Sequence, residues 1–182
     1  MMLENNGWVI SLKGSWYAAL GQHELVHVLP YSPVLYTIPQ TPPHARHVIV
    51  WQEKILPVLD LATYLAEDGD AWFDTWTTEV LMENLVGIVA YRGFGGSETT
   101  LGALLLCNVP ERVEVTDEQA CELPAHLGRW AAVAISCFEH PNYGPVPILD
   151  LPRIFSSELI GQSINALQSH HCSVDRTVVD HP

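Results

Sequence analysis

The chain has few positive charges. Only 8 of its 182 residues are Lys or Arg, against 21 Asp or Glu, so the formal net charge is −13 with neutral histidines. Affinity for nucleic acids and for anionic lipids depends on Lys and Arg contacts to phosphate groups. The composition therefore argues against both as partners. A basic or neutral protein surface is the partner that this charge favours.

The sequence also lacks a long hydrophobic run. Residues 1–8 have neither the basic region nor the apolar core of a signal peptide. A helix that crosses a bilayer needs about 20 apolar residues, and the run at residues 102–107 has only the length of a strand. We therefore expect a cytoplasmic protein without direct membrane insertion.

Cysteine is sparse, and no C-x-x-C pair is present. Widely separated cysteines in a chain without an export signal are most simply reduced thiols. Two of them lie in apolar stretches and are predicted to belong to the core, namely Cys107 and Cys137. The four cysteines are Cys107, Cys121, Cys137 and Cys172.

One short motif suggests metal chemistry. His23, Glu24 and His27 form an H-E-x-x-H, which on a helix would give two zinc ligands and a general base. Gly21 and Pro30 leave room for only one or two helical turns, whereas a zinc protease places this motif on a long helix. A turn at the solvent edge with an incidental histidine pair is therefore favoured. A zinc metallohydrolase stays as a remote alternative.

No other sequence pattern calls for catalysis. The stretch 93–96 lacks the spacing of a phosphate-binding loop and is predicted to be a flexible hairpin loop. No serine or cysteine lies in a G-x-S-x-G sequence. We therefore predict a protein that is not an enzyme and that has no cofactor and no metal site.

An internal repeat organises the chain. Residues 55–65 and 146–155 share the pattern P-[VI]-L-D-L-x-x-[YI]-[LF], 90 residues apart. Each copy begins as a buried strand and continues with an aspartate that can cap the first turn of a helix. A duplicated half-domain is the favoured interpretation, with coincidence between two apolar strands as the alternative. The repeated positions are Pro57, Asp60, Leu61, Pro147, Asp150 and Leu151.

Many short strand-like runs with few long helices predict an all-β architecture of two barrels. Trp8–Leu12 and Trp16–Leu20 are predicted to form a hairpin, and 34–38 and 130–137 are predicted to be strands. The aromatic cluster Trp72, Phe73 and Trp76 is predicted to pack on a barrel or to form a contact patch. The predicted organisation is a single domain over 1–182. It consists of a subdomain at about 7–66, a linker at about 67–84 and a second subdomain at about 85–168, followed by a frayed tail at 169–182. The second subdomain is predicted to end in a helix at 158–167.

Residues 41–61 carry a recognisable family pattern. They align without gaps with T-P-x-x-x-x-G-V-x-N-L-R-G-x-x-x-P-V-x-D-L. This stretch resembles the CheW-like domain of bacterial chemotaxis. Weaker matches lie upstream at 16–29 and downstream at 102–109, 113–119 and 148–151, in the order of the family pattern, so the resemblance extends over roughly 7–155.

The resemblance implies a fold and a function. The expected fold is all-β, with two pseudo-repeated SH3-like five-stranded barrels packed together, short helices and a C-terminal helix. The expected function is that of a non-enzymatic scaffold in chemosensory signal transduction. It would couple the helical tip of a chemoreceptor to the regulatory domain of a CheA-type histidine kinase. A divergent or auxiliary member, for example of a type IV pilus system for twitching motility, fits this sequence better than a standard coupling protein.

One loop departs from the family pattern. The segment G-V-x-N-L-R-G is replaced by residues 47–53, so that both glycines, the Asn and the Arg are lost. The family's Arg loop contacts its partners, and Gln52 cannot supply the fixed fork of donors of a guanidinium. A CheW-like domain with a different partner is therefore an alternative. The partner-binding residues implied by the resemblance are Val50, Trp51, Gln52, Glu53 and Lys54.

Overall fold

The computed structural model describes residues 5–29, 33–66, 84–93, 98–124 and 128–160. Several sequence predictions lie outside these residues. They are the aromatic cluster Trp72, Phe73 and Trp76, the thiol of Cys172, nearly all of the linker and the tail, and most of the C-terminal helix, of which 157–160 are described and helical.

Strands dominate the structure. They are β1 (Asn5–Leu12), β2 (Trp16–Gly21), β3 (Leu25–Leu29), β4 (Tyr36–Thr37), β5 (His47–Trp51), β6 (Lys54–Leu59), β7 (Leu85–Arg92), β8 (Thr99–Leu106), β9 (Glu111–Val115), β10 (Ala134–His140) and β11 (Gly144–Leu149). The helices are α1 (Leu61–Leu65), α2 (Trp130–Val133) and α3 (Leu151–Ile154), with 3₁₀ turns at Pro43–Ala45 and Asp117–Gln119. None of the helices in the described part of the chain is long and apolar enough to cross a membrane.

The strands form two sheets. Sheet A has the order β9-β1-β2-β11-β10, and sheet B has the order β3-β7-β8-β6-β5-β4. Most neighbours are antiparallel, but each sheet has one parallel junction. In sheet A, β11 lies parallel to β2, and in sheet B, β6 lies parallel to β8. The predicted all-β class is confirmed, and the two curled sheets are consistent with the two predicted SH3-like barrels. Sheet A has the predicted five strands, whereas sheet B has six because it includes the short strand β4.

The two sheets are built from the same series of elements. Each half of the chain contains a hairpin, a single strand, a second hairpin and a short helix, in this order. Before the second hairpin, the first half adds the short strand β4 and the second half adds α2. The first hairpin of each half joins the sheet of the other half: β1–β2 lie beside β9 and β11, and β7–β8 lie beside β3 and β6. The halves therefore exchange a hairpin. Each sheet therefore contains strands from both halves of the chain.

The repeated aspartates occupy equivalent places. Asp60 and Asp150 each precede a short helix with nearly the same backbone angles, φ −98 and ψ 90 against φ −98 and ψ 85. Each carboxylate accepts a hydrogen bond from the amide three residues later, at 3.1 Å from Thr63 and 3.2 Å from Arg153. The predicted helix caps are confirmed.

A hydrophobic core fills the space between the two sheets. It contains side chains from the central strands of both sheets, and α1, α2 and α3 pack against the same core. A smaller core lies inside each sheet's own curvature. The shared core contains Ile10, Leu12 and Leu20 of sheet A, Leu59, Leu104 and Leu106 of sheet B, and Leu61, Trp130 and Leu151 of the helices.

Two predicted strands are corrected. The segment Trp130–Val133 is helical, and the strand begins at Ala134. Residues three apart share one face of a helix, so the helical turn directs both Trp130 and Val133 into the shared core. The predicted strand at 34–38 is reduced to Tyr36–Thr37, which pairs with His47 and Val48 of β5 and with no other strand in the described part of the chain.

The predicted hairpins are present. β1 pairs with β2 from Gly7–Gly21 to Leu12–Trp16, and the turn has positive φ angles at Gly14 and Ser15. β7 pairs with β8 along the full length of both strands. The strands on either side of the predicted loop at 93–96 are therefore joined as expected.

The first testable prediction concerns Gly102 on β8. A Cβ atom built there would lie 2.5 Å from two ring carbons of Phe155, and that ring stacks on Tyr91 with centroids 4.9 Å apart. We expect Gly102→Ala to lower the free energy of unfolding by about 1–3 kcal/mol through overpacking. Chemical denaturation of Gly102→Ala, Phe155→Leu and the double variant measures the coupling. The double variant should lose less than the sum of the single losses, and additive losses would contradict the contact.

The second prediction concerns the two caps. Asp60→Ala and Asp150→Ala should each lower the free energy of unfolding by about 0.5–2 kcal/mol. The loss should be larger for Asp60, because its buried carboxylate also accepts from the Thr63 hydroxyl at 2.5 Å. The midpoint of urea denaturation measures both effects. The Asp→Asn variants keep an acceptor and are the controls. Unchanged midpoints in the Ala variants would show that the caps do not stabilise the fold.

Candidate partner-binding surface

The five residues implicated by the family resemblance lie at one end of the β5–β6 hairpin. Val50 pairs with Ile55, and Trp51 pairs with Lys54. Gln52 and Glu53 form the two-residue turn, with φ angles of 47 and 64. Positive φ at both positions is typical of the tight turns that match the twist of a hairpin. The structure thus brings all five predicted residues together at one tip.

Three exposed apolar side chains lie at this tip or next to it. Val50 is 55% exposed and Ile55, directly opposite on β6, is 72% exposed. Tyr36 on β4 is 53% exposed and pairs with Val48, two residues from Val50 on the same face of β5. We call Tyr36, Val50 and Ile55 the apolar patch. Exposed apolar side chains that adjoin one another are typical of contact sites.

Sequence reasoning missed Tyr36 and Ile55. Their neighbours Ile49 and Leu56 are buried in the inner core of sheet B, so alternation along the strands turns Val50 and Ile55 outward. A signal was present in the sequence. Residues 48–51 and 55–59 are apolar on both strand faces, although a sheet with one solvated face usually alternates apolar and polar residues.

Trp51 has a different role from its neighbours. Its side chain is half-buried against the inner core of sheet B, and its ring lies 6.3 Å from that of His27 on β3. Gln52, Glu53 and Lys54 are exposed. Trp51 therefore anchors the hairpin to the sheet, while the three polar residues extend from its tip.

The turn conformation explains why the family pattern has a glycine at the position of Glu53. Glu53 aligns with the second glycine of that pattern, and its φ is 64. Glycine adopts positive φ without steric cost, whereas other residues are disfavoured there. The chain therefore keeps the backbone of a glycine turn although the glycine is absent. Gln52, at the position of the pattern's Arg, lies at the same tip.

The H-E-x-x-H motif is not on a helix. His23 lies in the turn between β2 and β3, and His27 lies in β3. The Glu24 carboxylate accepts a hydrogen bond from the Gly21 amide at 2.6 Å, and burial raises its pKa. The described residues contain no group of three side chains arranged to hold a metal ion. The helical geometry that the zinc alternative required is absent at residues 23–27.

Asp60 and Asp150 do not form a carboxylate pair. Each is committed to the amide at the start of its own helix, and Asp150 also lies 3.5 Å from the Arg153 guanidinium. Their repeat relationship is structural. The arrangement supplies two caps rather than an acid and a base acting on one substrate.

Comparisons with known proteins identify the family and the fold of this chain. The model of the CheW-like domain matches residues 6–159. Among solved structures, the scaffolding protein TtCheW from Thermoanaerobacter tengcongensis is similar with a TM-score of 0.62 and 18% identity, covering 86% of this chain and 91% of that one. Likeness at this identity concerns the fold. No curated protein gives a significant match. Because the family model spans most of its length, the chain belongs to the CheW-like domain family.

Proposed function

We propose that this chain is a non-enzymatic adaptor that couples a chemoreceptor to a CheA-type histidine kinase. The observation that carries the proposal is the apolar patch, which adjoins the hairpin tip at which the family pattern implies partner contacts. Family membership supports the general role of a chemosensory scaffold. The patch supports a protein partner, since exposed apolar surface of this kind is buried upon association.

The edge of sheet B adds a second means of contact. Within the described residues, β4 pairs with β5 only at His47 and Val48. From Ile49 to Trp51, β5 pairs with β6 on its other side. A sheet edge offers backbone donors and acceptors to an added strand, and neighbouring pockets or patches give specificity. We therefore propose that the kinase regulatory domain contacts the β5 edge and the apolar patch together.

Such an interface is small. A few apolar side chains and one short edge support a weak, transient contact rather than an obligate one. Weak contacts become effective when several are linked in one assembly, because later binding steps occur at high local concentration. This is the physical basis on which a small scaffold would connect receptors and kinases in an array.

The altered turn favours a second candidate function, in which the fold is kept and the partner differs. Gln52 and Glu53 replace the Arg and Gly of the family pattern at the exposed tip. A partner carboxylate that pairs with a guanidinium would lose both its charge complement and its two-donor fork here. The exposed Glu53 adds negative charge instead. A partner with a basic or neutral surface is the counterpart of this tip.

The third prediction tests the kinase partner by calorimetric titration. The regulatory domain of a CheA-type kinase encoded in the same genome should bind the chain saturably at one to one. Ile55→Glu should weaken binding at least tenfold, about 1.4 kcal/mol, because it places a charge in the apolar patch. Val109→Glu is the matched control, since Val109 is 77% exposed but lies between β8 and β9.

The outcomes separate the candidate functions. Absence of binding by the unmodified chain would reject the kinase partner and leave the family member with a different partner. Equal weakening by Ile55→Glu and Val109→Glu would reject the apolar patch as the site of contact. Circular dichroism of each variant establishes that its fold is intact before affinities are compared.

The fourth prediction concerns the turn. Gln52→Arg should raise the affinity for the kinase domain or the receptor tip severalfold, because it restores a fork of donors at the exposed tip. Gln52→Lys restores charge without the fork and should raise it less. Glu53→Gly relaxes the backbone at positive φ and is the control for turn conformation. If the affinity of Gln52→Arg equals that of the unmodified chain, this position does not determine partner choice.

A further inference from the structure

Two cysteines face each other at the edge of sheet A. Ala120 forms an antiparallel bridge with Phe138 of β10, which places Cys121 directly opposite Cys137. The Cys121 amide donates a hydrogen bond to the Cys137 carbonyl at 3.0 Å. The two Sγ atoms are 3.4 Å apart. Both cysteines are reduced in this structure.

This geometry is close to that of a disulfide. Directly opposed residues of an antiparallel pair have Cα atoms about 4.5–5.5 Å apart, which lies within the range that a disulfide can span. The sulfur atoms of a disulfide are about 2.05 Å apart, so the two thiols need to approach by little more than 1 Å. Because the backbone separation of an opposed pair already suits a disulfide, rotation of the two side chains can supply this approach.

The two thiols differ in access to solvent. Cys121 is partly exposed, whereas Cys137 is only 2% exposed. Burial, together with the neighbouring thiol, raises the pKa of Cys137 to about 12. The more accessible thiol, Cys121, is therefore the one that a soluble oxidant meets first. The short distance between the sulfur atoms, rather than its acidity, positions Cys137 to resolve the product.

We propose that Cys121 and Cys137 form a site of reversible oxidation that closes to a cross-strand disulfide by exchange with a small-molecule disulfide. The Cys121 thiolate attacks one sulfur of that disulfide, whose S–S bond breaks and releases one small thiol. Cys137 then loses its proton to solvent and attacks the Cys121 sulfur, which expels the second small thiol. Two protein thiols are oxidised, and one small disulfide is reduced to two thiols.

The disulfide links the segment at Ala120 and Cys121 covalently to β10 of sheet A. In the reduced protein, the segment after the 3₁₀ turn Asp117–Gln119 is held on β10 by the Ala120 bridge, the amide of Cys121 and a 3.3 Å bond from the Gln119 side chain to the Glu139 carbonyl. Asp117, Ala120 and Cys137 also line a cleft of about 310 Å³ in sheet A. Oxidation fixes this wall of the cleft and covers the edge of β10.

The fifth prediction tests this pairing on the full chain in its native state. The reduced protein is incubated with glutathione disulfide, the remaining thiols are alkylated, and trypsin digestion is followed by mass spectrometry. Cleavage after Lys and Arg places each cysteine in a separate peptide, at 93–112, 113–129, 130–153 and 154–176. We expect a mass loss of about 2 Da and a linked pair of the peptides 113–129 and 130–153, which dithiothreitol separates.

The controls distinguish this site from random thiol oxidation. Cys121→Ser, a change at the partly exposed position, should abolish the linked pair, and Cys107→Ser should leave it unchanged. Thermal denaturation should show a higher midpoint for the oxidised protein than for the reduced one, since the bond closes a loop in the unfolded chain. Linkage through Cys107 or Cys172, or a persistent glutathione adduct on Cys121 without the linked pair, would overturn the proposal.

Discussion

The exchange of hairpins between the two halves is the constraint on which the structure depends. Sheet A is completed where β2 meets β11, and sheet B is completed where β8 meets β6. Each junction is parallel and joins strands that are distant in the chain, so neither half completes its sheet alone. Immediately after each junction strand, an aspartate turns the chain into a helix that packs on the shared core. The repeated motif therefore begins in the strand through which each half pairs with the other.

The duplicated frame is asymmetric at its surface. The β10–β11 hairpin carries Tyr143, which stacks on Tyr17 at 4.1 Å and on His140 at 4.6 Å and donates a 2.7 Å hydrogen bond to Glu111. The equivalent β5–β6 hairpin leaves the apolar patch exposed. Along β6, one face runs from the exposed Ile55 to Leu59 in the shared core. β6 thus packs on the shared core at Leu59, and the proposed contact surface includes its other end, where Ile55 is exposed.

Much of the local structure follows from short-range patterns. The hairpin at 13–15 and the cap at Asp60 depend on neighbouring residues, so turn residues and capping preferences are enough to predict them. Within the candidate surface, the family pattern predicted the tip at 50–54. Glu53 occupies the place of a glycine in that pattern and has a positive φ. Tyr36 and Ile55 were missed because exposure of an apolar side chain depends on what the rest of the chain covers. The helical turn at Trp130 was missed for a related reason, since access to the shared core decided its conformation.

The amino-acid sequence by itself determined the all-β class, the internal repeat, the two aspartate caps and the family, because strand alternation, capping and motif order are local properties of the chain. The tertiary structure alone decided which half contributes each hairpin to each sheet and which apolar side chains stay exposed. It also decided that Cys121 lies opposite Cys137 at the edge of β10. These features depend on pairing between strands far apart in the chain. Such pairing is selected by the burial of one shared core, to which residues from both halves contribute at once.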